Sequence, residues 1–131
     1  MKSLVVDDEL VSRKKMESIL ATFGDCTAVA SGKTAILTFS KAWHAKTPFE
    51  LMTLDVSMPD LDGKEVLFRI REIENESKLA LDKRMKIIMV TSRSDNETVI
   101  SCLQAGCNDY IVKPFDLETM RKKLIKIGCN I

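Results

Sequence analysis

With 131 residues, 45% of them apolar and 30% charged, the chain is long enough for one domain with a core of its own and too short for two. A formal net charge of +1 gives no electrostatic reason to expect nucleic acid or an anionic membrane surface as a partner. No apolar run approaches the roughly 18 residues of a membrane span, and Met1-Lys2-Ser3-Leu4-Val5-Val6-Asp7-Asp8 turns acidic too early for a secretory leader, so the expected location is the cytoplasm. The cysteines, Cys26, Cys102, Cys107 and Cys129, form no Cys-x-x-Cys pair and lie far in sequence from the single His44, which argues against zinc and for unpaired buried thiols.

Leu4-Val5-Val6, closed by Asp7-Asp8, reads as a first strand. Met16, Ile19, Leu20 and Phe23 fall at the helical spacing, and Gly24 ends that helix. Cys26 to Ala30 is a second candidate strand, and Ser31-Gly32 opens a helix with Ala35, Ile36, Phe39 and Trp43 inward. Phe49 to Asp55 is the third strand, stopped by Met58-Pro59-Asp60 because proline cannot continue a central ladder. A third helix starts near Gly63 with Val66, Leu67, Ile70 and Ile73 inward; the polar stretch Asn75 to Arg84 either prolongs it or forms a surface loop.

Ile87 to Val90 is the fourth strand, an unbroken apolar run before Thr91-Ser92. Asn96 to Ala105 is a helix ended by Gly106, and Tyr110-Ile111-Val112 a strand closed by Lys113-Pro114. Asp116 caps a last helix with Leu117, Met120, Leu124 and Ile127 on one face. Five strand–helix repeats with continuously apolar strands predict an α/β fold: one doubly wound, parallel, five-stranded (βα)5 sheet of the flavodoxin-like kind, with residues 1–131 as one domain.

In a parallel sheet all strand carboxyl ends share one edge, where ligands bind. The alternation therefore gathers Asp7, Asp8, Asp55, Thr91 and Lys113 into one cleft. Three carboxylates about 5 Å apart would repel by roughly 3 kcal/mol per pair at an effective dielectric near 20, an upper figure that solvent reduces. Three negative charges and the Lys113 ammonium leave −2, which a hard divalent cation with oxygen ligands balances; Mg²⁺ is the expected one.

Four segments in this order carry a resemblance: Val6-Asp7-Asp8-Glu9; Leu54 to Gly63, reading Leu-Asp-Val-Ser-Met-Pro-Asp-Leu-Asp-Gly; Val90-Thr91-Ser92; and Gly106 to Phe115, which includes Tyr110-Ile111-Val112-Lys113-Pro114. The chain resembles the CheY-like receiver domain of two-component response regulators over essentially its full length. The resemblance implies that Asp55 takes a phosphoryl group from a phosphohistidine, on a sensor histidine kinase or a histidine phosphotransfer protein. It implies Mg²⁺ held by Asp7, Asp8, Asp55 and the backbone carbonyl of Ser57, a phosphoryl oxygen paired with Lys113 and another taken by the Thr91 hydroxyl. Thr91 and Tyr110 become the switch that alters a surface spanning residues about 96 to 127, and the Lys113–Pro114 bond is expected to be cis. Ser57 and Arg93 occupy the positions that tune the lifetime of the phosphorylated state, and a cationic Arg93 is expected to prolong it. The resemblance implies a phosphoacceptor rather than a turnover enzyme, as a monomer or a weak phosphorylation-dependent dimer.

Three other readings compete. Ser31-Gly32-Lys33-Thr34 looks like the end of a nucleotide-binding P-loop, but the glycine required five residues before Gly32 is Thr27. A phosphatase of the haloacid dehalogenase type needs a second acid two residues after its nucleophile, where this chain has Ser57. A receiver fold used as an unphosphorylated interaction module has no need of the acid cluster.

Overall fold

The computed structural model describes residues 1–92 and 96–131. Strands and helices alternate: β1 (Ser3–Val6), α1 (Leu10–Ala21), β2 (Cys26–Val29), α2 (Gly32–His44), β3 (Leu51–Asp55), α3 (Gly63–Glu76), β4 (Lys86–Thr91), α4 (Asn96–Ala105), β5 (Asp109–Val112) and α5 (Leu117–Lys126). All pairings are parallel, in the order β2-β1-β3-β4-β5. The chain runs outward from β1 to β2, then returns across β1 to β3. The crevice above β1 and β3 is therefore the topological switch point, where doubly wound sheets bind ligands.

Strand alternation divides the core in two. Leu4, Val6, Met52, Leu54, Ile87 and Met89 face Ala35 and Phe39 of α2, Val66, Leu67 and Ile70 of α3, and Cys102 of α4. Val5, Leu51, Ile88, Val90 and Ile111 face Met16, Ile19 and Leu20 of α1 and Met120 and Leu124 of α5. Central strands β1 and β3 are buried throughout, as strands covered on both faces must be, whereas the edge strand β2 is mostly half-buried. No described helix is long and apolar enough to cross a membrane.

Details depart from the sequence expectation for physical reasons. Leu117, expected on the apolar face of α5 with Met120, Leu124 and Ile127, is 45% exposed as the first residue of the helix; Met120 and Leu124 supply the buried face. Asn75 to Arg84 is both helix and loop: α3 runs to Glu76, and Leu81–Lys83 forms one 3₁₀ turn. Of the four free thiols, Cys102 and Cys107 are buried, whereas Cys26 and Cys129 are only half-buried. Burial pushes the Cys107 thiol up to about 12, with Cys102 and Asp109 adding to it, so it stays protonated.

The end of α3 beside the polar stretch hides a buried charge. Glu74 is fully buried in the last turn of α3. Its carboxylate accepts from Arg71 Nη1 at 2.6 Å and from the Met85 N–H at 2.8 Å. Arg71 also donates to the carbonyls of Gly106 and Met85 and to Asn108 Oδ1, and that same oxygen accepts from the Ile87 N–H. One ion pair thus fastens α3, the start of β4 and the α4–β5 turn together.

Candidate functional site

Register explains why the five predicted residues can meet. Val6 pairs with Leu54, so Asp7 comes level with Asp55; Asp55 pairs with Val90, and Thr91 with Val112, so Thr91 and Lys113 extend the adjacent strands. Asp7, Asp55 and Lys113 continue the alternation of Val5, Thr53 and Ile111, and the three side chains converge. Lys113 Nζ lies 3.2 Å from Asp7 Oδ2 and 3.7 Å from Asp55 Oδ2. The cleft is open, about 480 Å³, and its lining includes Asp8, Asp55, Ser57, Thr91 and Lys113. A depression of similar size at the opposite sheet edge is lined by Arg71, Arg84 and Lys86 and lies far from these carboxylates.

One carboxylate oxygen from each of Asp7, Asp8 and Asp55 lies within 4.8 Å of the other two; Asp7 and Asp55 are buried and Asp8 is exposed. Burial first, and the Asp7 carboxylate second, push the Asp55 carboxyl from 3.8 up to about 7, against the opposing pull of Lys113 and of the Ser57 N–H. At Lys113 burial alone would lower the ammonium, but the charges of Asp55 and Asp7 outweigh it and hold it above its ordinary value. Among the described residues, Lys113 alone pairs with Asp7 and Asp55, one positive charge against three acids. Hard oxygen donors, a net charge of −2 and one exposed acid at the mouth fit a divalent hard cation.

The remaining positions sit around this centre. The Ser57 N–H donates to Asp55 Oδ1 at 3.3 Å, and Ser57 is exposed on the β3–α3 loop. The Glu9 N–H donates to Asp7 Oδ1 at 2.9 Å and Arg13 Nη1 to the Asp7 carbonyl at 3.0 Å, which fixes the β1–α1 turn. Thr91 is 8% exposed, and its carbonyl accepts the Lys113 N–H at 2.7 Å. The Lys113–Pro114 peptide is cis. Tyr110 is half-buried and shares the sheet face of Thr91, since Met89 pairs with Tyr110 and Thr91 with Val112. Arg93 lies outside the described residues.

Two features were not legible as parts of the site. Gly63 packs so tightly against the Asp55 carbonyl that a Cβ would overlap it, and the Gly63 N–H donates to the Val56 carbonyl at 2.9 Å. Asp60, read from sequence only as a turn former, reaches the N-terminus of α2: Gly32 N–H donates to Oδ1 at 3.3 Å and Lys33 N–H to Oδ2 at 3.1 Å. The helix start that resembled the end of a P-loop is thus already occupied by a carboxylate of this chain.

The profile of the response regulator receiver domain matches residues 3–125. The chemotaxis protein CheY-3 of Vibrio cholerae is 33% identical over 129 residues, covering 97% of this chain and 91% of that protein. The hybrid signal transduction histidine kinase L of Dictyostelium discoideum is 32% identical over 98% of this chain, a span that is 7% of that protein. Among solved structures, CheY in the CheX–CheY–BeF3–Mg²⁺ complex of Borrelia burgdorferi superposes with a TM-score of 0.82 at 26% identity, covering 99% of this chain and 90% of that one. Parallel sheet, acid-lined switch point and sequence agree on a signalling domain of the two-component class. The chain belongs to the response regulator receiver family, and its fold is CheY-like.

Proposed function

We propose that Asp55 accepts a phosphoryl group from a phosphohistidine of a sensor histidine kinase or a histidine phosphotransfer protein, and that the change is passed to a protein partner through α4, β5 and α5. The observation that carries this reading is the convergence of three carboxylate groups within 4.8 Å on a lysine that touches two of them. In the transfer, an Asp55 carboxylate oxygen attacks phosphorus as the phosphorus–nitrogen bond breaks; the imidazole leaves with its electron pair and an acyl phosphate forms. Mg²⁺, held by Asp7, Asp8, Asp55 and the Ser57 carbonyl, supplies charge neutralisation for the phosphoryl oxygens. Lys113 loses its contact with the Asp55 oxygen and takes a phosphoryl oxygen instead, an exchange of one anionic partner for another. The Thr91 hydroxyl donates to a further phosphoryl oxygen, and its inward movement makes room for Tyr110 on the same sheet face.

Ser57 and Arg93 tune how fast water removes the phosphate, with Arg93 slowing it. The domain spans residues 1–131 and acts as a cytoplasmic phosphoacceptor rather than a turnover enzyme, as a monomer or a weak phosphorylation-dependent dimer. The test is incubation with acetyl phosphate and Mg²⁺, followed by intact mass. Wild type should gain one phosphoryl group and Asp55→Asn none; a wild type that stays unmodified overturns the reading in favour of an interaction module.

A further inference from the structure

We infer that Asp60 is a positioning residue that ties the β3–α3 loop to the start of α2 and thereby sets the Ser57 carbonyl in place to meet a metal ion. This rests on the proposed Mg²⁺ site and adds a residue that does not touch the ion.

The loop between Asp55 and α3 is fixed at its base. The Gly63 N–H donates to the Val56 carbonyl at 2.9 Å, and Asp62 caps α3 by accepting from the Glu65 N–H at 2.9 Å. On its ascending side the Ser57 N–H turns back to Asp55, and Met58 is buried against the core. Pro59 and the side chain of Asp60 are exposed, so packing alone does not hold this part of the loop. What holds it is a pair of hydrogen bonds that the Gly32 and Lys33 N–H groups, 28 and 27 positions away in sequence, donate one to each Asp60 carboxylate oxygen.

The α2 end is built to receive that carboxylate. Ser31, the residue before α2, accepts from Thr34 N–H through its own side chain, leaving the Gly32 and Lys33 amides for Asp60. All three amides of the first turn are thus satisfied, and a negative charge lies at the positive end of the helix dipole. Those N–H groups hold the Asp60 carboxyl below its ordinary range. Gly32 is what lets the loop come so near: a Cβ there would lie 2.7 Å from the Leu61 carbonyl oxygen and 2.9 Å from Val66 Cγ2. The contact joins the loop to an element that contributes none of the proposed metal ligands. It therefore gives the Ser57 carbonyl a fixed frame independent of the acids that repel one another below it.

The test uses the intact protein in three variants. Asp60→Ala removes the tie. Asp60→Asn removes the charge and keeps one acceptor oxygen. Ser31→Ala weakens the same helix start without touching the loop. Amide exchange in metal-free protein should show Gly32 and Lys33 opening about tenfold more often in Asp60→Ala. Calorimetric Mg²⁺ titration at physiological ionic strength, where distant charges are screened, should show binding about fivefold weaker in Asp60→Ala. Asp60→Asn should recover part of that loss, and Ser31→Ala should bind Mg²⁺ as wild type does. Unchanged affinity in Asp60→Ala, an equal loss in Ser31→Ala, or an Asp60→Asn as weak as Asp60→Ala each overturns the tie while leaving the metal site standing. A wild type that does not bind Mg²⁺ overturns both.

Discussion

Asp55→Asn should make the metal-free protein more stable, by an amount that grows with pH. Asp55 is 6% exposed, and its carboxyl is raised from 3.8 to about 7, by burial and then by Asp7. In the unfolded chain it ionises near the ordinary value of about 3.9. Between those two values the native state binds more protons than the unfolded state, so stability falls as pH rises through the window. Below about pH 4 the carboxyl is largely protonated in both states and the penalty vanishes; above about pH 7 it is fully present.

The whole rise corresponds to roughly 4 kcal/mol. The cleft is open to water on one side, and halving the figure for solvent screening leaves about 2 kcal/mol. For a domain of this length that is a gain of about 7 °C in Tm. Thermal unfolding of wild type and Asp55→Asn in EDTA, at about pH 4 and about pH 8, measures it. The gap should open only at the higher pH, and saturating Mg²⁺ should narrow it by stabilising native wild type. An Asn variant no more stable than wild type at the higher pH, or a gap that ignores pH, would refute the reasoning.

Three other outcomes follow from the geometry of the fold. Glu74→Ala should cost about 3–5 kcal/mol in urea unfolding, because it strands the Arg71 guanidinium and the Met85 N–H; a loss below about 1 kcal/mol contradicts the assigned role of the pair. Lys123 Nζ lies 3.2 Å from the buried Asp109 Oδ1 and 4.9 Å from the Tyr110 ring centroid, so Lys123→Met should destabilise by about 1–2 kcal/mol, an effect that added salt leaves largely intact. With BeF3 and Mg²⁺ bound, amide exchange should change in α4, β5 and α5; change confined to α1 and α2 would overturn the proposed output face.

The fold was legible because most strands are short apolar runs closed by a polar residue and α1, α2, α3 and α5 show an apolar face at the helical period. Asp7, Asp55, Thr91 and Lys113 could be found for the same reason: topology alone brings strand ends together, whatever their distance along the chain. Residues whose roles depend on tertiary contact were hidden. Glu74 lies three positions after Arg71 next to a polar stretch, a pattern that describes an exposed helix pair as well as a buried one. Asp60 looked like an ordinary turn acid, since nothing local indicates that its partners lie at Gly32 and Lys33. Leu117 was misplaced because periodicity reports a face and not how deeply each position on that face is covered.

The electrostatic strain around Asp55 sits at the strand tips, where the fold can bear it. Below Asp55 the strands are packed on both faces, and the largest of the fully buried side chains, from Phe39 and Leu4 to Ile88 and Met89, are apolar. That core is what lets two carboxylates sit almost out of water at the strand tips with Lys113 between them. Above the tips there are only turns, and these hold the acids by backbone amides: Glu9 on Asp7 and Ser57 on Asp55. Amide hydrogen bonds orient a carboxylate without cancelling its charge. The turns therefore preserve the negative potential that a filled core would have forbidden and a second lysine would have removed. A cation or a phosphoryl group entering the cleft meets groups already aimed at it, and the repulsion it relieves was present before it arrived. The same carboxylates that weaken the empty domain are thus the source of its affinity, so a substitution that stabilises the fold by neutralising Asp7, Asp8 or Asp55 should weaken binding of the metal.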